Sequence, residues 1–437
     1  MVRTILADKL IDCEHLLGKF VDDSYYDILV TEDTDCYLPS GLDDNKTSEE
    51  YIAFKFRKNY FTKQEQDDAY AGLMEAAIST ENRGLASGTK DGTNVGDGGR
   101  VWVTNYQQEM MEELLRASNA SLSDEDVIDS VQAKYPTEEA RKKALGGGKN
   151  NVWVIYKLKE GFDFDTWLES IKPLNPEKRA KQTLEIMKNI SETTYGNAVD
   201  SGIAGWFDRY PRIPYGRATS YTRDNFDKFK MSFPFLQRLS RGFKEMLPER
   251  YSAQMEAINT IDSKFVVPET PFTTVTVNKT FRTACHRDAG DFSKGLSNLL
   301  VLSNDGRYTG GYLVLPELRI AINIRPGDLL LINNHECIHG NTPIVCEEGS
   351  HRVSLVCYLR EKMLELGSYE YETTRYEYVE SRRKNPDHPL QRKLWNGVSE
   401  GMWKEQEWYD YLESKLGKDE LIKMHPESQN QTLEEFF

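Results

Sequence analysis

Seven short runs between residues 264 and 359 constrain the fold more than any other feature. They are KFVV (264–267), FTTVTV (272–277), NLLVLS (298–303), GYLVLPEL (311–318), RIAINI (319–324), DLLLIN (328–333) and RVSLVCYL (352–359), separated by Gly, Asn, Asp and Pro. Side chains two apart share one face of a strand, so runs with this alternation bury one face and need a second layer to cover it. Short strands at this pitch predict a closed or sandwiched β architecture of the double-stranded β-helix, or jelly-roll, type. Ahead of them, Phe235, Leu236, Leu239, Phe243, Met246 and Leu247 recur at three- and four-residue spacing, which predicts an amphipathic helix over 234–259 that Pro248 kinks or divides. After residue 366 the pattern returns to helix, with aromatic-rich stretches at 369–378 and 405–416. The expected class is α+β, a jelly-roll core flanked by N- and C-terminal helices. The expected division is an N-terminal mixed α/β region of unknown role packing on the core (1–200), the core with its lead-in helix (201–365), and a helical segment completing it (366–437).

Composition suits an ordinary globular protein, with 39% hydrophobic and 29% charged residues. The sequence contains neither a long apolar run nor an N-terminal leader pattern, because MVRTILADKLIDCEH turns acidic within a few residues. An intracellular monomer without a membrane partner is expected, nuclear in a eukaryote and cytoplasmic in a bacterium or phage. The six cysteines form no Cys-x-x-Cys pair, so reduced thiols are expected, with Cys285 and Cys337 as packing residues. The ten acids of residues 21–50, set against Lys46 alone, read as solvated surface. The Gly-rich stretch 84–99 lacks the Gly-Lys-Ser/Thr ending of a phosphate loop, and it reads as a surface loop, as does 145–151. Residues 107–115 read as an ordinary helix.

Chemistry concentrates on His286-Arg287-Asp288 and on Ile338-His339-Gly340-Asn341-Thr342-Pro343, followed by His351-Arg352. His286 and Asp288 sit two apart, so on a strand both reach one metal. Two imidazoles and one carboxylate leave coordination positions open, the arrangement by which non-haem Fe(II) oxygenases hold an oxo-acid and dioxygen. His339 is the expected second histidine, because Gly-Asn-Thr-Pro follows it directly, whereas His335 lies in the preceding loop; His351, adjacent to Arg352, points the other way. Arg352 opens the last strand, and its planar fork matches the distal carboxylate of 2-oxoglutarate. Ser354 shares that face and supplies a further hydrogen bond.

The stretch TTVTVNKTFRTACHRDAGDFSKGLSNLLVL, with GDLLLINNHECIHGNTPI, HRVSLVCYLREKM and LWNGVSEGMWKEQEWYDYL, resembles the TET/JBP family of Fe(II)- and 2-oxoglutarate-dependent nucleic-acid base dioxygenases, most of all the thymine hydroxylase half of the J-binding proteins. The resemblance runs from about residue 200 onward and is specific between 264 and 360; the first 150 residues carry none of it. It implies iron on His286, Asp288 and His339, 2-oxoglutarate on Arg352, and O2 as the other co-substrate. It also implies hydroxylation of a 5-methyl group, either thymine to 5-hydroxymethyluracil or 5-methylcytosine to 5-hydroxymethylcytosine. Asp291 stands where TET-like members carry Asn and is a candidate for base recognition, with Asn278 a second pocket candidate.

Acting on a duplex base requires flipping it out of the stack. Residues 209–250 hold ten Lys/Arg against four Asp/Glu inside a chain of net charge −15. There Tyr210, Tyr215 and Tyr221 interleave with Arg212, Arg217 and Arg223, which predicts stacking faces beside DNA-backbone contacts. Two other functions fit less of the pattern: an iron hydroxylase acting on a protein side chain, free nucleotide or small molecule, and an inactive DNA-binding jelly-roll module.

Overall fold

The computed structural model describes residues 2–41, 43–80, 83–88, 100–103, 152–158, 190–195, 197–209, 215–288, 290–384, 413–414 and 417. The expectations for 107–115, 145–151, 405–412, Tyr210 and Arg212 lie outside the described residues. The main sheet has ten strands. Along it lie β1 (Arg3–Leu6), β3 (Thr34–Tyr37), β4 (Ile52–Arg57), β16 (Leu329–Ile332), β12 (Ser297–Ser303), β19 (Arg352–Tyr358), β11 (Thr274–Lys279), β9 (Val199–Arg209) and β10 (Tyr215–Ala218), with β5 (Ile78–Thr80) paired to β9. A four-stranded sheet runs β17 (Gly340–Asn341), β14 (Leu313–Leu315), β15 (Ile320–Ile322) and β2 (Ile28–Val30), and β13 (Tyr308–Gly310) pairs with β18 (Ile344–Cys346). Strands β6 (Arg100–Val103), β7 (Val152–Leu158) and β8 (Ile190–Tyr195) form a sheet of their own.

Alternation along β19 sets the layers. Val353, Leu355 and Cys357 join the helix-covered core, together with Val275 and Val277 of β11 and Leu329 and Leu331 of β16. Arg352, Ser354, Val356 and Tyr358 face the other way and line a cavity. Farther along that inner face, Leu299, Val301, Leu330 and Ile332 pack against Leu313, Leu315, Ile320 and Ile322 of the smaller sheet. Two sheets closed face to face in this way are the jelly roll that the alternation predicted.

The N-terminal segment belongs to the same sheets. β4 pairs with β16, and β2 runs parallel to β15, so residues 3–57 extend both layers of the core. Its acidic run is partly structural, because the half-buried Asp35 bonds Lys55 at 2.9 Å and Arg57 at 2.7 Å. Helices α1 (Lys63–Leu73), α2 (Ser220–Asp224), α3 (Phe226–Met231), α4 (Phe233–Met246) and α5 (Pro248–Ile258) follow, with α6 (Tyr369–Lys384) near the end. Pro248 divides the predicted helix between α4 and α5, since a proline opens a helix more readily than it continues one. Phe235, Leu236, Leu239 and Phe243 of α4 are buried on the outer face of the main sheet, worth about 2 kcal/mol each by area. The run KFVV is not a strand: the Asp262 side chain accepts from the Lys264 N–H and caps a 3-10 turn over Ser263–Phe265, with Pro268 shortly after. Among the described residues no helix is long and apolar enough to cross a membrane.

Candidate active site

The candidate metal-binding triad is assembled by one backbone bridge. His286 and His339 lie directly opposite each other, each N–H donating to the other's carbonyl at 3.0 Å. The segment before His286 is fixed by Gly18 N–H to Cys285 O and Cys285 N–H to Lys19 O, both 2.8 Å, and by Ala284 N–H to Ala86 O at 2.8 Å. Beyond it, Asp288 N–H donates to Asn334 O at 3.0 Å. Asp288 Oδ1 therefore lies 3.4 Å from His286 Nε2 and 3.9 Å from His339 Nε2. All three candidate ligand atoms fall within 4.8 Å of one another. Adjacent donors around an octahedral ion with roughly 2.1 Å bonds are about 3 Å apart, so the residues fit a metal with only a small contraction.

The tautomers suit the task as well. His286 Nδ1 faces Ala284 O at 2.8 Å and His339 Nδ1 faces Cys337 O at 3.1 Å, so each Nδ1–H donates to a carbonyl and leaves Nε2 for the ion. Burial and then the neighbouring His286 push the His339 pKa down to about 4, which keeps its ring neutral and ready to ligate. Burial opposes ionisation of Asp288, yet the two histidines and the Asn334 amide at 2.9 Å outweigh it and hold the carboxyl below its usual range. His335 lies exposed in the turn before the bridge and takes no part in the triad.

Arg352 marks the deep end of the cavity. It is 1% exposed, and Nη2 donates to Gly311 O at 3.2 Å, while Nε and Nη1 have no partner. The buried Tyr308 hydroxyl lies beside this guanidinium, close enough to favour its charged form. A buried guanidinium with two unmet N–H groups is costly unless an anion completes it, so this end fits the distal carboxylate of a dicarboxylic oxo-acid. Gly311, at φ +70°, is required for that placement: a Cβ there would come 3.0 Å from Arg352 Nε.

His286, Asp288, Asp291, His339, Arg352, Ser354 and Asn278 all line one cavity of about 330 Å³. Asn278 sits opposite Ser354 on one side and Ser201 on the other, and the Ser201 hydroxyl donates to its Oδ1. The amide nitrogen of Asn278 is thereby left as its donor. Asp291 accepts from the Ser297 hydroxyl, and burial, followed by the charge of Asp288, pushes its pKa up to about 8. Arg360 lies beside it across a backbone bridge and is ion-paired to the buried Asp208.

The sequence reading missed the part of this site that comes from the N-terminal region. Arg83, Gly84 and Ala86 form part of the cavity wall, and Arg83 Nε donates to Ser201 Oγ at 2.5 Å. The start of the stretch read as a surface loop is thus a 3-10 turn, Gly84–Ser87, packed against the ligand segment. Its composition signalled only flexibility, and nothing local encodes its long-range pairing.

The basic stretch is arranged differently from the expectation. Tyr215 is buried edge-on to Tyr376, and Tyr221 donates to Gly72 O at 2.6 Å, so their rings serve the core as packing surface and are not free stacking faces. Arg217 stacks on Phe207, Arg223 is ion-paired to Asp224 at 2.8 Å, and neither lines the cavity. Helices α3 to α5 carry six of the ten basic residues and cover the outer face of the main sheet, opposite the cavity.

A jelly roll with two histidines, one carboxylate and a buried arginine at its closed end defines the class of non-haem iron, 2-oxo-acid oxygenase folds. Residues 203–361 match the Tet_JBP family, described as the oxygenase domain of the 2OGFeDO superfamily. The matched residues include the triad and Arg352. Over 165 residues it is 42% identical to the "Bifunctional helicase and thymine dioxygenase JBP2" of Trypanosoma brucei brucei, covering 37% of this chain and 15% of that protein. It is 31% identical over 300 residues to the protein of the same description from Leishmania infantum, covering 66% and 26%. It is 34% identical over 180 residues to "Thymine dioxygenase JBP1" of Leishmania braziliensis, covering 40% and 21%. The chain thus spans roughly a quarter or less of these curated relatives. Among solved structures, NgTET1 in complex with 5mC DNA aligns with 53% of this chain and 80% of its own at 17% identity and a TM-score of 0.34.

Proposed function

We propose that this chain is an Fe(II)- and 2-oxoglutarate-dependent dioxygenase that hydroxylates the 5-methyl group of a DNA base, thymine or 5-methylcytosine. The observation that carries the proposal is the His286–Asp288–His339 triad in one cavity with the partnerless guanidinium of Arg352. When bound, the iron activates dioxygen with the oxo-acid as reductant, giving succinate, CO2 and one hydroxyl on the substrate methyl. The residues of the chain bind and orient. Arg352 and Tyr308 take the distal carboxylate, and the inner face of β19 leads from there past the triad to Tyr358 and Asp291. A protonated Asp291 both donates and accepts, which matches the N3 edge of either pyrimidine. The relatives described as thymine dioxygenases favour thymine as the base.

The test is to load the full chain anaerobically with Fe(II) and 2-oxoglutarate, admit oxygen with thymine- or 5-methylcytosine-containing DNA, and measure nucleosides by mass spectrometry. Hydroxymethyl product with stoichiometric succinate is expected. A second reading keeps the iron chemistry for a protein, nucleotide or small-molecule substrate, and the turning of α3 to α5 away from the cavity favours it. Succinate formed without a modified base would select that reading.

A further inference from the structure

The residue between the two ligands of the HRD segment points away from the cavity and carries a second network. Arg287 donates from Nε to Glu336 O at 2.9 Å, from Nη1 to Glu14 Oε1 at 2.6 Å, and from Nη2 to Glu317 Oε1 at 3.0 Å. Glu317 is only partly engaged by that bond. Its other oxygen accepts from the Ile338 N–H at 2.7 Å, one residue before His339. One carboxylate thus holds the segment carrying His286 and Asp288 with one oxygen and the segment carrying His339 with the other. Glu317 comes from a third place in the chain, the 3-10 turn Pro316–Leu318, which Arg319 ends in the left-handed region at φ +55°. The N-terminal segment adds a further tie, Ile11 N–H to Glu317 O at 2.9 Å.

The three charged members are not equivalent. The Glu317 side chain is 12% exposed, that of Arg287 31% and that of Glu14 56%, so Glu317 is the shielded member, where charge-assisted bonds are strongest. Apart from this network, the ligand segments are joined by the His286–His339 bridge, by Asn334 on Asp288 and, on the other side of the bridge from Asp288, by the bonds of Asn341 with Thr283 and Arg282. The bridge fixes their register, while the separation of Asp288 from His339 depends on how far apart the flanking backbone is held.

We propose that Glu317, acting through Arg287 and the Ile338 amide, is a positioning residue of the metal centre, setting the spacing between its two ligand-bearing segments. This rests on the reading of His286, Asp288 and His339 as the ligands. Outer residues that orient metal ligands commonly contribute ten- to hundredfold in metal affinity, here through the backbone on both sides of the site.

The test uses the full chain without metal and Mn(II) as the probe, titrated by calorimetry and electron paramagnetic resonance. Glu317→Ala and Arg287→Met should each weaken Mn(II) by about tenfold or more, and the double variant should be little worse than the weaker-binding single variant. Glu317→Gln, which keeps the shape and an acceptor for Ile338, should lie between. Hydrogen exchange at the Ile338 amide should quicken in metal-free Glu317→Ala. Lys228→Gln, which breaks an exposed pair with Glu75 on the helical layer, is the control. Mn(II) affinity within twofold of wild type in folded Glu317→Ala and Arg287→Met would overturn the proposal. Should Glu317→Ala fail to fold, the same result in Glu317→Gln and Arg287→Met overturns it. His339→Ala separates the two layers of inference: undiminished Mn(II) binding there would refute the ligand assignment itself.

Discussion

Replacing Arg352 by Met should make the unliganded protein more stable while removing its response to 2-oxoglutarate. In the wild type the guanidinium is 1% exposed, two of its nitrogens have no partner, and burial shifts its pKa down. Each unmet buried donor costs about 1–3 kcal/mol, more when charged, and a fitted apolar replacement for a buried charge is commonly neutral or stabilising by about 1–4 kcal/mol. Against that stands the loss of one bond, Nη2 to Gly311 O, worth about 1 kcal/mol. The carbonyl it leaves still accepts from Asn341 Nδ2 at 3.3 Å, so no new orphan is created. The expected net gain is about 1–3 kcal/mol. In the presence of 2-oxoglutarate the order reverses: at a hundredfold excess over Kd the ligand stabilises wild type by about 2.7 kcal/mol, and the variant by almost nothing. The assay is urea unfolding of Mn(II)-loaded wild type and variant, each with and without 2-oxoglutarate. A variant less stable than wild type without the oxo-acid, or one that keeps the full 2-oxoglutarate shift, would refute the argument that the site is built around an absent carboxylate.

Two other outcomes follow from the same cavity. Tyr308→Phe should raise the Kd for 2-oxoglutarate by roughly tenfold, one charge-assisted hydrogen bond, and leave 2-oxopentanoate, which lacks the distal carboxylate, unaffected; equal effects on both ligands, measured calorimetrically, would remove Tyr308 from the carboxylate site. The folded pKa of Asp291, raised to about 8 first by burial and then by Asp288, lies above the unfolded value of about 3.9, so the stability it confers is complete in acid and is lost as pH rises toward 8. Asp291→Asn abolishes that loss, and in the metal-free protein its stability relative to wild type should rise by up to ~1.4 kcal/mol per pH unit between pH 4 and 8; parallel unfolding curves across that range would show that the carboxyl is not protonated.

Much of the core was legible because a strand buried on one face writes its pattern locally. NLLVLS, DLLLIN and RVSLVCYL became β12, β16 and β19 almost residue for residue. KFVV failed because four apolar residues carry no period of their own, and a side-chain cap with a nearby proline decided the backbone. The small strands β13, β17 and β18 were missed for the opposite reason: they are too short to show alternation and exist through their partners. Tyr215 and Tyr221 read as exposed stacking faces because sequence spacing tells which residues are neighbours on an element, not which side the core lies.

By itself the sequence determined the jelly-roll class, the His-x-Asp pair and the Arg352-x-Ser354 pair, since each depends on the two-residue period of an extended chain. The sequence favoured His339 over His335, and the tertiary structure seated it opposite His286 and left His335 in an exposed turn. The tertiary structure also decided which distant groups complete the site: Arg83 at the wall, Tyr308 beside Arg352, and Glu317 behind both ligand segments. These contacts join residues from separate segments of the chain, and their geometry is set by the pairing and closure of the two sheets. A local pattern fixes the face on which a side chain lies. What stands opposite that face is decided only when the sheets close.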